Sequence, residues 1–460
     1  MSQSTLNNGA IQRRSQLSHQ QLAAYGVGSV ASAMFNTVPA LVLLFFMTQT
    51  LGVSPAWAGA AMLLPKLWDV ITDPLMGYIS DRTQSRWGRR RPWMLLGAFT
   101  MPLAFSMVFS VPDYDTWQSR FAWVMGWYML AATCFTVYVV PYVSMPAEMT
   151  NNYHERTKIL SWRMAFVVIG IMVGGGLAPL LIAEGGGGRD GHALMASVLG
   201  GVMFVVMLFT FFATANLPRR EWQPSQSAGW QALKIALRNR PFKVLMLAYM
   251  LMMVGGNCLM ATVPFYVAHI LEREGELVTA LFLCHLVPSL LSIPLWNRWS
   301  QRVGKHRGLM VGVAIYALGC AALFFTGDAP SVAVILVIIT LMGTGMGAIQ
   351  LYPFAMMPDV IALDRRQSGL NREGLFTGVW IANEKVGIAS GAFLAALVLE
   401  LFGFVEGGGT QAADALQGVQ MAIGLAPALL LFLSMAILTA YSLDRELLRI
   451  TKSKQALEPN

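Results

Sequence analysis

Charge is what this chain of 460 residues has little of: 12% of its residues are Asp, Glu, Lys or Arg, against 55% that are apolar. An ordinary soluble domain carries roughly a quarter charged residues. From Ser15 to Pro65 there is no Asp, Glu, Lys or Arg at all. No water-facing surface can be built from such a stretch, so an ordinary soluble enzyme is excluded and the solvent is lipid. Cysteine is scarce too. Cys134, Cys258, Cys284 and Cys320 each lie inside an apolar run, with no CxxC or His-rich neighbourhood, which excludes a disulfide framework and a cysteine metal site. The sequence also lacks an HExxH, a paired His or a Ser/His/Asp grouping, so it offers nothing for a polytopic membrane enzyme to work with. Residues 1 to 18 are polar, carry Arg13 and Arg14, and lack the short apolar core and small-residue cleavage site of a signal peptide; they read as a retained cytoplasmic N-terminus.

What is present is a succession of apolar runs of the roughly 20 residues a membrane helix needs. Twelve are expected, at 22–50, 56–80, 93–111, 121–146, 162–183, 192–216, 243–270, 277–297, 308–327, 331–357, 375–402 and 420–442. Several exceed the minimum, which implies tilt or kinks, and Pro39, Pro74, Pro141, Pro264, Pro288 and Pro353 supply local reasons for kinks. With the N-terminus inside, only Arg120, Arg189 and Arg273 among the 32 basic residues fall outside, against eleven acids. Lys66 and Lys385 fall within spans, leaving 27 on the cytoplasmic side. The positive-inside rule therefore predicts an N-in, C-in chain, and the net charge of +8 is flanking charge rather than affinity for nucleic acid.

The domain organisation follows from the longest inside connection. An N-terminal six-helix bundle with a short cytoplasmic tail is expected over 1–217, a cytoplasmic linker with an amphipathic basic helix over 218–241, and a C-terminal six-helix bundle with a cytoplasmic tail over 242–460. A repeat supports the split. Arg82-Thr-Gln-Ser-Arg86-Trp-Gly88-Arg89-Arg90-Arg91 is echoed by Arg298-Trp-Ser-Gln-Arg302-Val-Gly304-Lys305-His306-Arg307, at an offset of 216 residues. Pro-Tyr-Val-Ser-Met-Pro at 141–146 is likewise echoed by Pro-Phe-Ala-Met-Met-Pro at 353–358. Two pseudo-symmetric six-span halves are a common build of secondary transporters.

A charge inside the bilayer costs several kcal/mol, so each one needs a reason. Asp69 and Asp73 are i and i+4 on span 2, with Thr72 beside them, so both carboxylates share a face. Two like charges that close either share a proton or bind a cation. Two carboxylates and a hydroxyl suit a hard monovalent cation such as Na⁺, and the same pair can carry a proton; the alternative is an ion-pair network with Lys66 and Lys385 that only holds helices together. Glu384 and Lys385 are adjacent on span 11 and so lie on different helical faces, and at most one can point straight into a central cavity. Arg163, near the start of span 5, reads either as a substrate contact or as a snorkelling interfacial residue. His285 stands at the repeat position of Asp69. Tyr25, Asn36, Tyr138, Tyr142, Asn257, Gln350, Tyr352 and Trp380 are candidate cavity linings, with helix packing as the alternative. The Gly174-Gly-Gly176 and Gly343-x-Gly345-x-Gly347 runs suit close helix approach.

Trp68-Asp69-x-x-Thr72-Asp73-Pro74-x-Met76-Gly77, continuing to Ser85-Arg86-Trp87-Gly88-Arg89-Arg90-Arg91-Pro92-Trp93, resembles the signature of the glycoside-pentoside-hexuronide cation symporters. These are the melibiose-carrier branch of the major facilitator superfamily. Arg372-Glu373-Gly374-Leu-Phe376-x-Gly378-x-Trp380 with Glu384-Lys385 is similar to that family's span 11, and the likeness covers essentially the whole chain. The resemblance implies that Asp69, Asp73, Thr72 and Thr136 hold the coupling cation, and that Lys66, Arg163 and Lys385 match the family's basic residues. It also exposes a departure. Galactoside-binding members place carboxylates in spans 1 and 4 and an aromatic ring against the sugar; the aligned positions here are Ala33, Val139 and Val143, so a polyol would lose its strongest acceptors.

The expectation is thus an all-α membrane protein with twelve transmembrane helices in the major facilitator fold, multi-pass in a bacterial inner membrane, and not an enzyme. Its function would be Na⁺- or H⁺-coupled symport of a glycoside-like small organic solute by alternating access, with an amphiphile such as a lysolipid or an apolar metabolite as the alternative. The cation would sit at Asp69, Asp73, Thr72 and Thr136. The substrate cavity would draw on Arg163, Lys385, Trp380, Tyr142, Tyr138, Asn36 and Tyr25. The cytoplasmic gating loops would use Asp81, Arg82, Arg86, Arg89, Arg90, Arg91, Arg302 and Arg307, paired with acids such as Asp81, Glu148 or Asp359. No cofactor is expected and no metal beyond Na⁺ at Asp69 and Asp73; the partners are the solute and the bilayer, without nucleic acid, and the working unit is a monomer.

Overall fold

The computed structural model describes residues 17–150, 153–215, 217, 229–273, 275–327, 331–368 and 372–441. They form helices and no strands: α1 His19–Gly26, α2 Gly28–Val38, α3 Pro55–Arg82, α4 Arg91–Phe109, α5 Trp117–Met149, α6 Tyr153–Glu184, α7 Gly188–Ala213, α8 Gly229–Arg238, α9 Arg240–His269, α10 Glu276–Val303, α11 Lys305–Phe324, α12 Val332–Ser368, α13 Glu373–Leu401, α14 Ala413–Gln420 and α15 Ala426–Leu438. Wider π turns occupy Pro39–Leu43, Phe46–Thr50 and Met421–Leu425. The first begins at Pro39, whose ring cannot donate to the i−4 carbonyl and so favours a local break in the α ladder. Among the described residues, ten helices are long and apolar enough to cross a bilayer. Helices α3 and α13, of 28 and 29 residues, carry the embedded charges Lys66, Asp69, Asp73, Glu384 and Lys385.

Local sequence explains the ends. Ser18 and Gln21 form a capping box on α1, with Gln21 N donating to Ser18 Oγ at 3.2 Å and Ser18 N to Gln21 Oε1 at 2.9 Å. Asn239 caps α9 by accepting from Phe242 N at 3.1 Å. Apolarity locates span 5 at 162–183, yet α6 begins at Tyr153. Glu155 at its start accepts from Leu17 N at 2.6 Å and from the Thr150 hydroxyl, so the polar turn carrying Arg156 and Lys158 continues the helix below the apolar run. Arg163 is consequently eight residues past Glu155, about 12 Å along the helix.

The chain divides into two compact units. Unit 1 comprises Met1–Pro39, Trp68–Asp115 and Ala122–Ser225; unit 2 comprises Ala40–Leu67, Thr116–Phe121 and Gln226–Asn460. In unit 1, α6 lies so close to α2 that a Cβ on Gly170 would stand 2.5 Å from the Val30 carbonyl oxygen and 2.7 Å from Ala33 Cβ. In unit 2, the glycine run of α12 lies between α10 and α11: a Cβ on Gly343 would collide with the His285 carbonyl, and one on Gly345 would sit 2.6 Å from the Gly312 carbonyl oxygen. These backbone approaches explain the glycines at 170, 343 and 345. Unit 2 also contains α8, which packs on α9 and α13 with Ala236 buried. The N-terminal tail through residue 16, residues 218–228 of the expected linker, and the C-terminal tail after Tyr441 lie outside the described residues.

The repeat is visible in the backbone. Gly88 and Gly304, equivalent in the two basic loops, both adopt the left-handed region, at φ 87° and 88°.

Candidate cation and solute site

The span-2 residues expected to hold the cation lie on α3, and α5 faces them. Asp69 is fully buried, and Asp73, one turn later, is half-buried. Thr136 Oγ1 on α5 donates to Asp73 Oδ1 at 2.8 Å. Thr72 Oγ1 donates to its own Trp68 carbonyl oxygen at 3.2 Å, the i−4 bond that helical threonines make. The two hydroxyl oxygens stand 3.5 Å apart, and either can donate to the other, so Thr72, Thr136 and the Asp73 carboxylate form one oxygen cluster between the two helices. A second tie lies one turn away: Trp68 Nε1 donates to Thr133 Oγ1 at 3.0 Å, and Thr133 donates to the Met129 carbonyl at 2.9 Å. Sequence reasoning missed Thr133, although its i−3 spacing from Thr136 puts both on one face of α5.

Three tyrosines of the expected cavity lie together inside unit 1. Tyr25, Tyr138 and Tyr142 are fully buried. Tyr25 stacks on Tyr142 at 4.7 Å, and Tyr138 stacks on Tyr142 at 5.5 Å. Tyr25 and Tyr142 exchange hydroxyl-to-carbonyl bonds of 3.1 and 2.8 Å, and Ser29 Oγ lies 2.7 Å from the Tyr142 hydroxyl. This clasp joins α1 and α2 to α5. Asn36 is exposed and its amide donates to the Ser32 carbonyl at 2.9 Å. Arg163 is half-buried, with Nε out of contact with solvent and without a hydrogen-bond partner.

In unit 2, Trp380 stacks on Tyr249 at 4.6 Å, and the Tyr249 hydroxyl donates to Glu384 Oε1 at 3.2 Å. Glu384 shares its face of α13 with Trp380, Gly387 and Gly391, whose closest neighbours are on α9. Lys385 lies on another face, three turns from Ala396, and a Cβ on Gly59 of α3 would stand 2.5 Å from Ala396 Cβ. His285 is buried with its ring edge-on to Tyr316 at 5.6 Å.

The basic loops are ordered by ion pairs. Glu148 at the end of α5 accepts from Arg89 Nε at 2.9 Å and Arg90 Nε at 2.8 Å. Arg90 also pairs with Asp81 and donates to Ser80 Oγ at 2.5 Å. Arg91 donates to the Phe211 carbonyl at 2.8 Å and lies over that ring. Arg82 lies over Tyr78 and Arg86 over Trp87. The second loop is looser: Lys305 pairs with Asp359 at 2.7 Å, while Arg302 and Arg307 are exposed.

The family model described as "MFS/sugar transport protein" matches residues 24–445. The chain is 30% identical to the "Uncharacterized symporter YnaJ" of Bacillus subtilis, over 94% of this chain and 93% of that one. It is 26% identical to the "Glucuronide carrier protein homolog" of Escherichia coli, over 93% of each. It is 22% identical to the "Sodium-dependent lysophosphatidylcholine symporter 1" of Mus musculus, over 97% of this chain and 89% of that one. Among solved structures, an inward-facing bacterial homologue of the human lysosomal transporter Spinster superposes with a TM-score of 0.71 at 14% identity, covering 93% of this chain and 97% of that one. This last likeness concerns the fold, while the family match runs through both units and includes α3 with its two aspartates. The chain belongs to the MFS/sugar transport protein family, multi-pass membrane transporters rather than enzymes.

Proposed function

We propose that the protein is a cation-coupled symporter that moves a glycoside-like small organic solute across a bacterial inner membrane by alternating access, with its N- and C-termini in the cytoplasm and two six-span halves. The observation that carries this reading is the oxygen cluster of Asp73, Thr72 and Thr136 beside the buried Asp69. Binding of Na⁺ or H⁺ offsets the repulsion of two carboxylates one turn apart, so the empty and loaded sites favour different helix arrangements; that difference is the source of coupling. Arg163 and Asn36 are the solute contacts proposed in unit 1, with the buried tyrosine clasp as the wall behind them; Lys385 and Trp380 are those proposed in unit 2. The Arg89–Arg90–Glu148–Asp81 cluster holds the cytoplasmic ends of α3, α4 and α5 together, and its release and re-formation accompany each cycle.

The apolar Ala33, Val139 and Val143 favour one second reading, transport of an amphiphile such as a lysolipid. Purified protein screened by thermal shift against sugars and lysolipids, each with and without Na⁺, separates the two. Cooperative stabilisation by a sugar together with Na⁺ or a lowered pH is the expected outcome. Flux into proteoliposomes that no cation gradient accelerates would remove the proposal.

A further inference from the structure

Glu384 is an acid that the cation site does not use. It stands eleven residues into the 29-residue α13, far from either end of span 11, where an uncompensated carboxylate is costly. Among the described residues no Lys, Arg or His comes within ion-pair distance of it, and its one hydrogen bond is the 3.2 Å bond that the buried Tyr249 hydroxyl donates to Oε1. Trp380, one turn earlier on the same face, stacks on Tyr249, yet its Nε1 is sealed and donates to nothing. Glu384 thus lacks the two or three donors that steady a resident carboxylate. Other acids of the chain are met by more: Glu148 by Arg89 and Arg90, Asp359 by Lys305, and Glu155 by the Leu17 amide and the Thr150 hydroxyl. The charged groups on the surrounding helices are set apart from Glu384. On α9, Lys243 is exposed and six residues before Tyr249, about 9 Å of helix, and Arg240 and His269 are at the ends. On α12, Asp359 is five residues past Phe354, whose ring is edge-on to Tyr249 and Trp380, and Asp364, Arg365 and Arg366 lie further on. Helix α8 carries Lys234 and Arg238, α14 has Asp414 in its first turn, and α13 itself has Glu373 and Glu400 at its ends, with Lys385 on another face.

An acid in a membrane span that no cation meets is neutralised by a proton. Oε2 is the atom to take it: Oε1 accepts the Tyr249 bond, whereas Oε2 makes no hydrogen bond and the half-buried side chain does not close it off from solvent. We infer that Glu384 is a proton-binding site of the second unit, separate from the cation site of Asp69, Thr72, Asp73 and Thr136, so that the transporter loads a proton at span 11 as well as the cation at span 2. The inference rests on the transport reading above and adds a second coupled ion to it. Protonation leaves the Tyr249 bond in place, since Oε1 accepts from the phenol in either form. Release of the proton puts one negative charge next to Trp380 and Lys385, the groups proposed to meet the solute in this unit, so proton and solute each alter the binding of the other.

The test uses the full-length purified protein and dicyclohexylcarbodiimide, which adds across the O–H of a protonated carboxyl, oxygen to carbon and proton to nitrogen, and spares carboxylates. Modified residues are located by peptide mass spectrometry. Glu384 should label in mildly acidic buffer and at least about 10-fold more slowly in alkaline buffer, as loss of a proton requires. Saturating Na⁺ should leave this labelling unchanged while protecting Asp69 and Asp73. Tyr249→Phe should speed it at neutral pH, because the phenol donor steadies the ionised form. Infrared difference spectra between the two buffers follow the same proton without a reagent: one protonated-carboxyl band of the wild type should be lost in Glu384→Gln. Retention of the Na⁺-dependent thermal shift shows that each variant is folded. The inference is overturned if Glu384→Gln leaves the carboxyl bands intact, if Glu384 labels as fast in alkaline as in acidic buffer, or if Na⁺ suppresses its labelling together with that of Asp69 and Asp73, which would make it part of the cation site. Failure of the transport reading would show separately, as wild-type protein with neither a cation-dependent thermal shift nor cation-driven flux.

Discussion

Replacing Glu148 by glutamine isolates what the basic loop contributes. The carboxylate is 13% exposed and receives both Arg89, 19% exposed, and Arg90, 5% exposed. Glutamine keeps the length and one acceptor oxygen but removes the charge. Arg90 retains Asp81 and Ser80, so the loss falls chiefly on Arg89. A charge-assisted hydrogen bond in such a setting is worth about 2 kcal/mol, and for a unit of this size that lowers the unfolding midpoint by roughly 4–8 °C. A thiol-reactive dye suits the measurement, because Cys134, Cys258 and Cys320 are buried and label only on unfolding, whereas the half-buried Cys284 sets the background. Asp113→Asn is the control: Asp113 pairs with Arg189 but is 98% exposed, and such pairs contribute at most about 1 kcal/mol. Equal midpoints for Glu148→Gln and wild type, or an equal fall for Asp113→Asn, would refute the argument that burial decides which pairs matter.

Thr136→Val keeps the side-chain volume but removes the bond to Asp73 and one oxygen of the cluster; the cation concentration for half-maximal uptake should rise about 10-fold with little change in solute KM at saturating cation. Gly304 has open space around its Cβ position but a φ of 88° with ψ 154°, so Gly304→Ala should cost about 1–3 kcal/mol through backbone strain alone, read as a fall in unfolding midpoint. Gly343→Leu collides with the His285 backbone and should leave little monodisperse protein on size exclusion, whereas Gly256→Ala, whose nearest neighbour would be 3.9 Å away, should behave as wild type.

Hydropathy made the membrane helices legible because lipid enforces a single rule along their length. It could not reveal where helices run on past the bilayer. The extra turns at the start of α6 are held by Glu155 with Leu17 and Thr150, polar bonds that carry no hydropathy signal. Gly88 and Gly304, paired by the repeat offset of 216 residues, both have a positive φ, a backbone region that favours glycine. The offset said nothing of how unequal the two loops are: Arg91 is buried against Phe211, while Arg307 is exposed. In the site, the i, i+4 spacing of Asp69 and Asp73 was readable from α3 alone, but Thr133 and Trp68 meet only because two helices pack, and pairwise packing is not written in either helix. The tyrosines show the same limit. A phenol in a membrane span can face a solute or another helix, and it is the neighbouring carbonyl that decides; for Tyr25 and Tyr142 that carbonyl is each other's.

The central claim is that a cation at Asp69 and Asp73 drives the solute uphill, and the direct measurement compares two fluxes of the Asp73→Asn variant in proteoliposomes. Asparagine is close in size to aspartate and can still accept from Thr136, so the fold should be preserved. Solute exchange down its own gradient should persist, because it requires only the alternating movement, while accumulation against a gradient under an imposed Na⁺ or H⁺ gradient should be lost. Accumulation by Asp73→Asn with the cation dependence of the wild type would contradict the account.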